Sequence, residues 1–267
     1  MADNFLTSIE GLILDMDGVL WRGSEVIGDL ESIFSRIKES GRKVLFATNN
    51  ATRTVGQYVD LLKSYGVAAE PWQIVNSATA VVEYLRKQFP NGGPVYIIGE
   101  QGLTQACSEN GFYLSDSGAL AVIVGFDRSL TYEKLRIATL LLRRGVPFIG
   151  TNPDRTFPTP QGLIPGAGAI LAALTAASDV SPIIVGKPEP TMYRIALERL
   201  HLSADRSLVV GDRPETDMVG AQVLGCHTAL LLSGVTNKEQ AAAWRPVPDI
   251  IAEDLTCLVN LLDTQLK

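Results

Sequence analysis

Gly11-Leu12-Ile13-Leu14-Asp15-Met16-Asp17-Gly18 sets two carboxylates directly behind a short apolar run. The run Leu12-Ile13-Leu14 reads as a strand, because it is a short apolar run that precedes a helical pattern. On an extended segment Asp15 and Asp17, two residues apart, share a side, and Gly18 lets the backbone turn close to a ligand. One carboxylate can attack phosphorus to form an acyl phosphate while the other protonates the leaving oxygen and later activates water. A pair of aspartates capping a turn is the plainer alternative for this stretch taken alone.

Outward from it, short apolar runs alternate with helical patterns, the mark of a mainly parallel sheet with crossover helices. Strands are predicted at 12–15, 43–47, 74–75, 95–98, 121–126, 147–149, 183–185, 208–210 and 228–232. A helix is predicted over 29–40, with Leu30, Ile33, Phe34 and Ile37 on one face and Gly41 as its stop, and another over 131–144, closed by Gly145. The fold class is therefore α/β, a doubly wound, mainly parallel Rossmann-like core sheet with an inserted smaller α/β cap domain. The interval 81–181 has its own strands and helices, so the expected division is core 1–80, insertion 81–181 and core 182–267. Gly166-Ala167-Gly168-Ala169-Ile170-Leu171 begins like a dinucleotide fingerprint but lacks its third glycine and the preceding strand, so helix packing is the better reading.

Three further strand ends carry useful groups, and ligands of open α/β sheets bind beyond the carboxyl ends of strands. Thr48-Asn49-Asn50 offers a hydroxyl, amides and backbone N–H groups to phosphate oxygens, though it would also serve as a turn or helix cap. Lys187, between Gly186 and Pro188, places a point positive charge there, unless it is a solvated surface lysine. Gly211-Asp212-Arg213-Pro214-Glu215-Thr216-Asp217 adds carboxylates. Asp212 with Asp15 makes the oxygen-rich site that Mg²⁺ prefers, whereas Asp217 could simply complement a helix terminus.

Composition narrows the function classes. Of 267 residues, 46% are hydrophobic and 19% charged, enough for a sizeable core. A formal net charge of −6 argues against nucleic-acid or anionic-membrane partners, which need a clustered positive field. No run approaches the roughly 18 apolar residues of a membrane helix, and residues 1–10 do not read as a signal peptide. Cys107, Cys226 and Cys257 lack CxxC spacing and read as reduced thiols of a cytoplasmic protein, not as zinc ligands. With only His201 and His227, neither a Ser-His-Asp triad nor a multi-histidine metal site is supported.

The order Asp-x-Asp, Thr, Lys, Gly-Asp and a further Asp resembles the haloacid dehalogenase superfamily in all four of its motifs, over the whole chain. GLILDMDGVL, FATNNATRT, GTNPDRTFPT, IVGKPEPTMY, VGDRPETDM and LLLSGVT look like its branch of nitrophenyl-phosphate, phosphoglycolate and pyridoxal-phosphate phosphatases with a large α/β cap. The resemblance implies Asp15 as nucleophile and metal ligand, and Asp17 as general acid/base lending the metal its backbone carbonyl. It implies Thr48, Asn49, Asn50 and Lys187 as phosphoryl holders, Asp212 as a direct Mg²⁺ ligand and Asp217 as support behind the ligands. It also implies a small phosphorylated metabolite as substrate, with nitrophenyl phosphate as a surrogate, and leaves a homodimer open. A dehalogenase would lack the second aspartate and a P-type ATPase would carry threonine there. A phosphomutase or phosphotransferase of the same fold, or a non-catalytic phosphate-binding module, remains as an alternative. Phe157 stands where some pyridoxal-phosphate phosphatases have histidine, and it reads as a hydrophobic cap residue.

Overall fold

Leu12, Ile13 and Leu14 are completely buried, as a central strand covered on both faces must be. The computed structural model describes residues 5–159 and 161–264. These fall into two compact units. One comprises the residues up to Thr48, Tyr58–Val75 and those from Pro188 onward; the other comprises Asn49–Gln57 and Asn76–Lys187.

The first unit carries a six-stranded sheet in the order Ile250–Ala252, His227–Leu231, Ser207–Gly211, Gly11–Leu14, Lys43–Thr48, Ile74–Asn76. Gly11–Leu14 runs parallel to both neighbours, with Leu14 level with Val210 on one side and Phe46 on the other. The chain therefore leaves the sheet at nearly one height after Leu14, Gly211 and Thr48, which is what gathers polar strand ends. The helix Leu30–Glu39 is capped by the Asp29 carboxylate, which accepts the Ser32 N–H at 3.1 Å. It buries Leu30, Ile33 and Ile37, while Phe34 stays partly exposed against Phe46. Gly41, at φ +75°, takes the left-handed turn that ends it. The edge strand Ile250–Ala252 and the small hairpin Trp21–Arg22 with Glu25–Val26 escape sequence periodicity, since two or three residues cannot establish one.

The second unit has its own five-stranded parallel sheet, ordered Ile183–Ile184, Phe148–Gly150, Val122–Val124, Gly93–Ile98, Phe112–Leu114. Helices Tyr132–Leu142 and Ala167–Ser178 close its core through Ala138, Leu142, Ile170 and Leu174, packed with Val122 and Phe148. The segment Gly166-Ala167-Gly168 serves close packing: a Cβ on Gly168 would strike the Pro153 carbonyl, and one on Gly166 the Asp154 carbonyl. The unit is wider than the span 81–181 at both ends. Ile183–Ile184 pairs with Phe148–Gly150 inside this sheet, and the helix Ser77–Gln88 starts from its Asn76 cap. The segment 49–57 joins it because Thr52 accepts the Gly102 N–H and a Cβ on Gly102 would meet the Ala51 and Arg53 carbonyls.

Candidate active site

At the centre of the core sheet the Asp15 N–H donates to the Val210 carbonyl at 2.8 Å, continuing the strand by one bond before the chain turns. Asp15, Asp212 and Asp217 are all buried, and each places a carboxylate oxygen within 4.8 Å of the others. Asp217 arrives there through a single π-helical turn, Pro214–Met218, of the kind that often marks functional sites. Its Oδ2 accepts the Arg213 N–H at 3.0 Å, and its carbonyl accepts the Tyr193 hydroxyl at 2.9 Å. The backbone around these carboxylates has no room for side chains. A Cβ on Gly211 would collide with the Asp217 carboxylate, and a Cβ on Gly18 or Gly234 with that of Asp212. Gly18 also sits at φ +89°, a conformation costly for any residue with a Cβ.

Three carboxylates gathered out of water repel one another, at a cost in free energy. A cation among them relieves that cost. The donors are all oxygen, with no thiolate or imidazole in the cluster, so the set fits Mg²⁺ or Mn²⁺ and not a zinc-type site.

Asp17 lies beside this cluster in sequence but is exposed, and its Oδ1 accepts the Trp21 indole N–H at 3.0 Å. The turn between them is closed by Gly18 N–H donating to the Trp21 carbonyl at 2.7 Å. Thr48 is buried at the end of its strand.

The inserted unit brings together a second set. The Asn49 amide grips the Lys187 backbone at both ends: Oδ1 accepts its N–H at 2.8 Å and Nδ2 donates to its carbonyl at 3.0 Å. Nδ2 also reaches Asp154 Oδ2 at 3.3 Å. The Asn49 carbonyl accepts the Ser77 hydroxyl at 2.5 Å and the Asn152 amide at 2.9 Å. Asn49 and Lys187 are both buried, so Lys187 is no solvated surface lysine. Asn50 makes a local turn, its Oδ1 accepting from the Thr52 N–H and hydroxyl. Phe157, on the hairpin Thr156–Thr159 with Gly162–Pro165, stacks on Phe126 at 4.8 Å between ring centroids.

Trp21, Ser77 and Asn152 were not singled out by sequence reasoning. Trp21 lies four residues past Asp17, and Asn152 lies within GTNPDRTFPT, so proximity to a motif was the available signal. Ser77 had none.

A parallel core sheet, an inserted α/β unit and aspartates at adjacent strand ends define an α/β protein with a candidate site at the carboxyl ends of its strands. Comparison with known proteins narrows this. Residues 12–113 match the family described as haloacid dehalogenase-like hydrolase, and residues 184–258 match a HAD-hydrolase-like family. The chain is 35% identical over 251 residues to a 5'-nucleotidase of Bacillus subtilis, covering 94% of this chain and 98% of that protein. It is 36% identical over 244 residues to an acid sugar phosphatase of Staphylococcus aureus, covering 91% and 94%. Among solved structures, the 4-nitrophenylphosphatase of Thermotoga maritima superposes with a TM-score of 0.90 at 30% identity, covering 96% of this chain and 98% of that one. The chain belongs to the haloacid dehalogenase-like hydrolase family and is a phosphatase. Among the described residues no helix is long and apolar enough to cross a membrane.

Proposed function

We propose that the protein is a Mg²⁺-dependent phosphomonoester hydrolase that works through an aspartyl-phosphate on Asp15. The observation that carries this reading is the buried cluster of Asp15, Asp212 and Asp217 at neighbouring strand ends, with Asp17 two residues from the first of them. Mg²⁺ held by Asp15, Asp212 and the Asp17 carbonyl, with Asp217 in support, would supply charge neutralisation to the phosphoryl group and its carboxylate neighbours.

The chain's own groups do the bond making. An Asp15 carboxylate oxygen attacks phosphorus, the P–O bond to the leaving group breaks, and Asp17 gives its proton to the departing oxygen. Asp17, now ionised, takes a proton from water. The resulting hydroxide attacks phosphorus, the acyl-phosphate P–O bond breaks, and inorganic phosphate leaves with Asp15 restored. Thr48, Asn49, Asn50 and Lys187 are assigned to holding the phosphoryl oxygens, with Lys187 offsetting their charge. Trp21 holds Asp17 in place, its indole N–H donating to Oδ1 at 3.0 Å.

The substrate is a small phosphorylated metabolite. Relatives named for nucleotides, sugar phosphates and nitrophenyl phosphate make nucleoside monophosphates, sugar phosphates and the aryl surrogate the compounds to rank by kcat/KM. The inserted unit, with Asp154 and Phe157, is assigned to leaving-group selection. Nitrophenyl phosphate hydrolysis by exhaustively chelated protein should vanish and return on Mg²⁺ addition. Full activity in metal-free buffer would overturn the metal assignment.

A further inference from the structure

We infer that Ser233-Gly234-Val235-Thr236 is a positioning strap that fixes the Asp212 carboxylate for a divalent cation, an inference resting on the metal role proposed above. These residues follow the strand His227–Leu231 after Leu232, and that strand lies next to the one that ends before Asp212.

The strap holds Asp212 at two points. The Val235 N–H donates to Asp212 Oδ2 at 2.8 Å, and the Thr236 hydroxyl donates to the Asp212 carbonyl at 2.6 Å. One bond fixes the plane of the carboxylate; the other fixes the backbone from which it projects. Between them Gly234 lies so close to the carboxylate that a Cβ could not be placed there, and Gly18 presses in the same way from the turn after Asp17. The carboxylate is thus confined by two glycine backbones. The strap also holds that turn directly, because the Ser233 hydroxyl donates to the Gly18 carbonyl at 2.7 Å and the Ser233 carbonyl accepts from Arg22 Nε. Ser233 and Thr236 are both buried, so water competes poorly for these bonds.

Hydrogen bonds to a metal-binding carboxylate orient it before the ion arrives, so the ion need not order it. Losing such a partner typically weakens metal affinity about 10- to 100-fold. Thr236 and Val235 accordingly act through Asp212 and are positioning residues.

The test is a Mn²⁺ titration of the full chain followed by electron paramagnetic resonance, with Mn²⁺ standing for Mg²⁺ because both favour oxygen donors. Thr236→Val should weaken Mn²⁺ binding about 10-fold while the protein stays folded by circular dichroism at the temperature of the titration. Thr236→Ser, which keeps the hydroxyl, should bind like the parent protein. Thr236→Ala reads the same loss if valine disturbs packing. Asp212→Asn separates the two ideas. If it loses Mn²⁺ while Thr236→Val and Thr236→Ala bind normally, the strap is wrong and the metal site stands. If Asp212→Asn binds Mn²⁺ as tightly as the parent, the metal role of Asp212 fails and the strap fails with it.

Discussion

The two parallel sheets of this protein treat carboxylates at their strand ends in opposite ways. In the inserted unit, Glu100 follows the strand Gly93–Ile98 and is clamped by Arg128, whose Nε and Nη2 each donate at 2.6 Å. Asp127, after Val122–Val124, is buried and paired with Lys134 at 2.7 Å. In the core, Asp15, Asp212 and Asp217 are instead turned toward one another. In the inserted unit these two acids are each neutralised by a cation of the same unit. The core gathers three carboxylates at neighbouring strand ends, an all-oxygen donor set that a divalent cation can bridge.

The widest separation between the two sheets should come from Asp15→Asn. Removing the attacking oxygen anion should lower turnover by on the order of 10⁴-fold or more and leave no phosphoenzyme in rapid-quench trapping. Phosphoenzyme at wild-type yield in this variant would name the wrong nucleophile. Asp17→Asn should lose ~10²–10⁴-fold in steady-state turnover, yet show an initial burst of nitrophenolate. That leaving group needs no proton, whereas hydrolysis of the acyl phosphate still needs the base. Alkyl phosphates should give no burst.

Two further effects, on the inserted unit, are read in stability. Asn49→Ala removes the amide that grips Lys187 and should cost about 1–3 kcal/mol in chemical denaturation. An unchanged midpoint would mean that the Asn49 contacts carry little. Smallest of all is Glu100→Gln. The Arg128 clamp, followed by weaker opposing desolvation, holds the Glu100 carboxyl below its usual range. Its contribution is present above the unfolded-state pKa and lost as pH falls through the lower folded value, so the parent should lose stability on acidification more steeply than the variant. Because Arg128 is two-thirds exposed, the difference should be at most about 1 kcal/mol. Equal pH slopes would show that the clamp is silent.

How much was legible in advance depended on the reach of the interactions. The buried strand ahead of Asp15 was legible because a short apolar run closed by polar residues is a local pattern. The helix predicted at 29–40 and found at 30–39 was equally plain, since its apolar spacing lies within it and Gly41 follows just beyond its end. Lys187 was harder, because its backbone is held by an asparagine 138 residues away and nothing local reports that bond. The extent of the inserted unit likewise depends on partners distant in sequence. Strand pairing, and not composition, assigns Ile183–Ile184 to its sheet.

Sequence alone determined the α/β class, the helix caps and the residue types at each strand end, because side-chain periodicity, capping and turn chemistry act over a few neighbours. Tertiary structure alone decided that Asp15, Asp212 and Asp217 converge, that Trp21 pins Asp17 and that the segment after Leu232 braces Asp212. The register of Leu14 between Val210 and Phe46 set the first of these, and close glycine backbones permitted the rest. Such contacts join residues up to two hundred positions apart, and no local pattern encodes which partner a strand will choose.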